Sequence, residues 1–161
     1  MSVSAEKFKN VMARVATMVT VVTATGEGGP TGLTVSAFTS VSADPAIVLV
    51  CIDKATASVD AMLDAPGYTV NFLPEGTSDE AMLFATHDAE KFGNSSWRHA
   101  STPDAGPVLE SAFAYLECMT IKRAEVGDHW VIYGEVAALG LGDDGVAPLI
   151  WHDRGFAKLA E

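Results

Sequence analysis

The sequence predicts a mainly β protein, an antiparallel β-barrel with short flanking helices, and three observations carry that expectation. Residues 18–24, 31–42, 46–52, 112–123 and 130–141 are dense in Val, Thr, Ile and aromatic residues, which suit a pleated surface. These segments do not alternate regularly with helical ones, as a doubly wound parallel sheet would require. No glycine-rich turn leads from a strand into a helix, so a dinucleotide fold with its phosphate loop is a poor fit.

Taken in order, Ser4 can cap a helix whose Phe8, Val11, Met12 and Val15 follow the spacing of one buried face. Residues 18–24 read as a strand, and Gly26, Gly28, Gly29 and Pro30 as a turn. Residues 31–42 and 46–52 are two strands parted by Ala43-Asp44-Pro45. Thr56 or Ser58 can cap a short helix with Val59, Met62 and Leu63 on one face, before a strand at 68–73. Thr77 and Glu80 have capping-box spacing and open a helix through Met82, Phe84 and Ala85. Residues 92–109, with Gly93, Pro103, Gly106 and Pro107, form a long irregular connection. Two long strands then meet at Glu125-Val-Gly-Asp-His129, a hairpin, and a last strand lies near 149–153. The expectation is about seven strands and three or four short helices.

The length of 161 residues suits a single domain spanning 1–161. A hydrophobic fraction of 48% is high, and a homodimer interface is the simplest place for the excess. No run approaches the roughly 20 apolar residues of a membrane span, and the first residues lack the pattern of a secretory signal. Cys51 and Cys118 sit inside apolar runs and read as free thiols, which fits a cytoplasmic protein. A net charge of −11 argues against nucleic acid and anionic membranes as partners and makes each basic residue near a pocket informative. His87, His99, His129 and His152 are scattered without ligand spacing, so no metal site is expected.

Gly32-Leu-Thr-Val-Ser-Ala-Phe-Thr-Ser-Val-Ser42 alternates small hydroxyl residues with apolar ones. It is either an ordinary strand with one hydroxylated face or a strand that a flat polar ligand can approach closely. Lys54 with Thr56 and Ser58, at a strand end before a helix, makes either a phosphate site or a solvated turn with a cap. His129 at the hairpin exit either completes a turn or donates a hydrogen bond at a pocket mouth. Glu117, inside an apolar run, either faces solvent from one side of the barrel wall or serves as a paired buried acid, and the wall is the preferred assignment.

In order along nearly the whole chain, the segments Gly32 to Ser42, Asp44-Pro45, Val48-Leu-Val-Cys-Ile-Asp-Lys54, Val70-Asn-Phe-Leu73, Phe84-Ala85, Lys91-Phe92, Pro107-Val-Leu-Glu110, Tyr115-Leu-Glu-Cys118, Gly127-Asp-His129 and Gly134-Glu-Val136 resemble the short-chain flavin reductase family. The resemblance implies a Greek-key-like, FMN-binding split barrel and a homodimer that oxidises NADH or NADPH. It implies that reduced FMN or FAD passes to a flavin-dependent monooxygenase. Carried over, Thr34, Val35, Ser36 and Ala37 line the isoalloxazine edge, and Cys51, Asp53, Lys54 and Ser58 surround the ribityl and phosphate. Asn71, Phe84 and Ala85 lie near the cofactor, and His129 is the candidate catalytic residue, touching the nicotinamide. Leu83 stands where the family often has arginine. A flavoprotein that keeps its flavin and acts on an organic substrate is the alternative.

Overall fold

A computed structural model describes residues 3–87 and 90–159. In chain order the elements are α1 (Ala5–Met12), β1 (Thr17–Met18), β2 (Thr20–Gly26), β3 (Gly29–Val35), β4 (Phe38–Ala43), β5 (Ala46–Asp53), α2 (Val59–Asp64), β6 (Gly67–Phe72), α3 (Ser78–Ala85), β7 (Trp97–Arg98), β8 (Val108–Leu109), β9 (Ala114–Val126), β10 (His129–Leu141), β11 (Ile150–His152) and β12 (Gly155–Ala157). The architecture is mainly β and antiparallel with few helices, as the sequence predicts. Among the described residues no helix is long and apolar enough to cross a membrane.

The main sheet runs β3-β2-β6-β9-β10-β5-β4. Laid flat, seven strands would hold their edges about 29 Å apart. Yet only Ser36 and Ala37 join edge strand β3 to edge strand β4, and three Cα steps reach at most about 11 Å. The sheet must therefore curl until its edges approach. Two hydrogen bonds hold the crossing: Thr20 Oγ1 donates to Val35 O at 2.6 Å and Cys51 N to Ala37 O at 2.9 Å. The predicted single strand over 31–42 is thus two strands belonging to opposite edges.

Inward-facing positions of successive strands fill the barrel: Val22, Val50, Val70, Phe72, Cys118 and Ile132 are buried together. Met62 of α2 joins them. Burial of all residues of β6 shows that its other face is covered too. Part of that cover is apolar, where Val21, Leu73 and Leu109 pack with Phe84 of α3. The rest is polar. Thr23, Thr69, Asn71 and Glu117 are neighbours across β2, β6 and β9, and all are fully buried.

These four side chains explain why the connection over 92–109 is ordered. Asn71 Nδ2 donates to Val21 O at 3.1 Å, to Thr23 Oγ1 at 3.2 Å and to Pro107 O at 3.4 Å, while its Oδ1 accepts from Leu109 N at 2.8 Å. Thr23 Oγ1 donates to Pro107 O at 2.5 Å and Thr69 Oγ1 to Gly106 O at 2.6 Å. Gly106 lies so close that a Cβ there would sit 2.0 Å from Thr23 O. The connection also holds the short pair β7–β8, which the sequence does not announce.

Glu117 does not face solvent as the sequence reading expects. Its carboxylate accepts from Ser101 N at 3.0 Å, Ser101 Oγ at 2.8 Å and Thr102 N at 2.6 Å. Burial pushes its pKa up, but these hydrogen bonds outweigh burial and hold it below the ordinary 4.5. The neighbouring Cys118 thiol is pushed up to about 12 by burial and the Glu117 charge. Both cysteines are free.

Other expectations shift as well. Ser4 caps α1, accepting from Lys7 N at 3.3 Å, but the helix buries no residue, and Phe8 and Val11 are 60% and 65% exposed. The helix lies outside the barrel, tied by Arg154 to Asn10 Oδ1 at 2.5 Å and by Asp153 N to Ala13 O at 2.7 Å, and among the described residues nothing buries its apolar face. The capping box at Thr77 does not form. Thr77 Oγ1 donates to Pro74 O at 2.8 Å, and the Glu80 carboxylate is taken by the Ser95 and Ser111 hydroxyls.

Two outcomes test the polar layer. Asn71→Ala leaves the Leu109 amide without its acceptor and should cost about 2–4 kcal/mol in urea unfolding. Because Glu117 has a folded pKa below its unfolded value, its stabilisation is full above about pH 4.5 and is lost as pH falls through the folded value. Glu117→Gln should therefore lower the urea midpoint at neutral pH, and the gap to the parent protein should narrow on acidification.

Candidate functional site

The curled sheet brings three stretches around one cavity of about 540 Å³. β3 supplies Thr31 to Thr34 as one wall. The end of β5 and the turn into α2 supply Asp53 and Ala55 to Ser58. The end of α3 supplies Phe84 to His87, and Lys91 and Phe92 close the far side.

Local chemistry shapes each wall. Asp53 Oδ1 accepts from Ala55 N at 2.8 Å, an Asx turn that bends the chain away from β5. Ser58 stands at the N-cap of α2, yet its hydroxyl makes no capping bond, and Ser58 lines the cavity. Gly32 keeps the β3 wall thin, since a Cβ there would lie 3.1 Å from the Phe84 ring. Phe84 is 1% exposed and stands edge-on to Phe92 at 5.2 Å, Phe92 to Trp97 at 5.7 Å, and Trp97 to His99 at 5.3 Å. This aromatic row joins the cavity to the connection over 92–109.

Lys91 brings a buried cation to the cavity, its Nζ donating to Gly32 O and Phe84 O, each at 3.2 Å. In the sequence, Lys91-Phe92 carries part of the family resemblance and no assigned role. The signal was present, because with only 10 Lys and Arg in the chain a lysine beside an aromatic is informative.

Of the residues picked from sequence, Thr34, Asp53, Ser58, Phe84 and Ala85 line this cavity together. Thr34 Oγ1 is committed to Ala81 O at 2.5 Å, so the hydroxyl pins α3 onto β3. Val35 is buried in the barrel core, and Ser36 and Ala37 are exposed at the crossing. Cys51 is half-buried within β5, its amide on Ala37 O, with burial raising its pKa. Asn71 lies in the polar layer behind the wall. Leu83 packs in the cluster beneath α3 and borders a second hollow with Glu80, Ser95 and Ser111.

Lys54 and His129 sit together at the hairpin. Lys54 Nζ donates to Glu125 Oε1 at 2.5 Å and to Gly127 O at 2.6 Å, so it points to the β9–β10 turn. His129 pairs with Asp53 across the sheet, and its Nδ1 lies 2.7 Å from Asp128 Oδ1. That hydrogen bond holds Asp128 below the usual carboxylate range. No group of three or more His, Cys, Asp or Glu among the described residues could hold a metal ion.

A thin glycine wall, small hydroxyl residues, two aromatic rings and one buried cation suit a flat ring with an anionic tail. Comparison with known proteins gives the family. The flavin reductase like domain model matches residues 12–160. The chain belongs to the flavin reductase-like family. It is an enzyme of the NAD(P)H:flavin oxidoreductase class. It is 39% identical over 153 residues to an actinorhodin polyketide dimerase of Streptomyces coelicolor, covering 94% of this chain and 84% of that protein. It is 38% identical over 130 residues to the reductase component of a 4-nitrophenol 4-monooxygenase/4-nitrocatechol 2-monooxygenase of Rhodococcus opacus, covering 81% and 69% of the two chains. Among solved structures, an NADH:FAD oxidoreductase of Streptomyces globisporus C-1027, in complex with NAD and FAD fragments, superposes with a TM-score of 0.89. That protein is 29% identical, with 99% and 98% of the two chains covered. The fold of this flavin reductase-like chain thus matches the split barrels of its relatives.

Proposed function

We propose that this flavin reductase uses NADH or NADPH to reduce FMN or FAD and passes the reduced flavin to a separate monooxygenase. The cavity walled by Gly32, Ser58, Phe84 and Lys91 carries the reading, and the Rhodococcus relative, itself a reductase component, supports the destination. The single domain works in the cytoplasm as a homodimer, a reading supported by the uncovered apolar face of α1 and by Leu139 and Leu141, 66% and 74% exposed on β10.

A bound flavin supplies the hydride acceptor. The chain's own residues bind and orient. The backbone of Thr34, Val35, Ser36 and Ala37 would face the ring edge, with the Val35 and Ala37 carbonyls held by Thr20 and the Cys51 amide. Phe84 and Ala85 flank the ring. Ser58 and Lys91 meet the ribityl and phosphate, with Asp53 shaping the turn between them. His129, opposite Asp53, contacts the nicotinamide. No side-chain acid is needed for the hydride step, because the cofactors supply the chemistry and the protein holds them in line.

The Streptomyces coelicolor relative, named for polyketide dimerisation, favours a second reading in which flavin is retained and an organic substrate is handled directly. Flavin that stays with the protein through dialysis would support it.

Purified protein should oxidise NADH or NADPH when FMN, FAD or riboflavin is supplied. No oxidation with any combination would overturn the proposal. Lys91→Met should weaken FMN at least about tenfold while changing riboflavin little, since only FMN offers a phosphate to the ammonium. His129→Ala should raise the apparent KM for the nicotinamide more than that for flavin.

A further inference from the structure

Asp53 and Ala55 both line the cavity, and Lys54 between them does not. Its ammonium reaches the opposite way, to Glu125 Oε1 and Gly127 O, while its amide donates to Asp128 O at 3.1 Å. One residue thus holds three points of the turn that joins β9 to β10. That turn is exposed and is built on Gly127 at φ +59°, where glycine leaves the backbone soft. A charge-assisted bond to the Gly127 carbonyl stiffens the turn at its least constrained residue.

The turn delivers His129. Residues directly opposite in an antiparallel pair share a face. His129 is opposite Asp53, a cavity-lining residue, so the two side chains leave the same face of the sheet while Lys54 grips the turn beside His129. Asp128, whose carbonyl Lys54 binds, also meets the imidazole through its carboxylate at 2.7 Å. An exposed ion pair alone would contribute little. Here the same side chain also binds backbone, which fixes the orientation of the segment.

We propose that Lys54 is a positioning residue for His129, clamping the 125–129 turn so that the imidazole is presented to the nicotinamide, rather than a phosphate ligand. The proposal rests on the reading of His129 given above and adds the residue that holds it in place.

The test combines a measurement that needs no turnover with one that does. In the cofactor-free protein, Lys54→Met should speed hydrogen exchange of the turn amides about tenfold and leave β6 and β9 near Glu117 unchanged. In steady-state assays it should raise the nicotinamide KM about three- to tenfold and shift the flavin KM by less than about twofold. Lys54→Arg should recover most of the loss. In a His129→Ala background, Lys54→Met should add little further change, the coupling expected of residues acting as a unit. Unchanged exchange at the turn would overturn the proposal. So would a rise confined to the flavin KM, or additive effects of the two substitutions. A parent protein without NAD(P)H oxidation would instead refute the reading of the site, while the exchange result would still decide whether Lys54 orders the turn.

Discussion

The two-residue crossing between β3 and β4 governs the rest of the molecule. Because Ser36 and Ala37 must connect opposite edges of a seven-stranded sheet, the sheet has to curl, and the curl sets where every wall of the cavity lies. β3 and the end of β5 belong to different halves of the sheet, yet both face the same hollow. The hydrogen bonds to Val35 O and Ala37 O fix the crossing from β2 and β5. Cavity width is therefore a property of strand order, while Gly32 and Phe84 adjust it locally.

A barrel of this kind would leave the outer faces of β2, β6 and β9 wet, but here they are covered. The cover has two chemistries because its parts differ. α3 brings an apolar face and meets Val21 and Leu109. The connection over 92–109 brings backbone groups in need of partners and meets Thr23, Thr69, Asn71 and Glu117, each of which bonds to that backbone. Buried polar groups are tolerated when fully satisfied, and such networks rigidify what they bind. From there the row Trp97, Phe92 and Phe84 reaches the cavity.

Local pattern made the strands and the hairpin at Gly127 legible, since Val and Thr density and a glycine turn are read within a few residues. The break in the long hydroxyl-rich segment was invisible because Ser36 and Ala37 are ordinary strand residues, and only the partners of β3 and β4 reveal it. Glu117 was misplaced for a related reason: its donors lie 15 and 16 residues away in a segment without regular pattern. Lys54 lies beside Ser58 in sequence, but the carboxylate that engages it is 71 positions distant. The apolar stripe on α1 was read correctly as a stripe, but periodicity says nothing about what covers it. Thr34, Asp53, Ser58, Phe84 and Ala85 were found together because the ordered resemblance carries spatial information that their individual patterns lack.

The strand order also bears on how the chain acquires its site. β2 pairs with β6 about fifty positions later, and β6 with β9 about as far again, so the centre of the sheet is assembled from distant stretches. β3 and β4 are neighbours in sequence and outermost in space. A partly folded chain with the inner strands paired and the sheet still open would possess a core and no cavity. Any ligand that needs both walls can then recognise only the closed form, and its binding adds stability to closure itself.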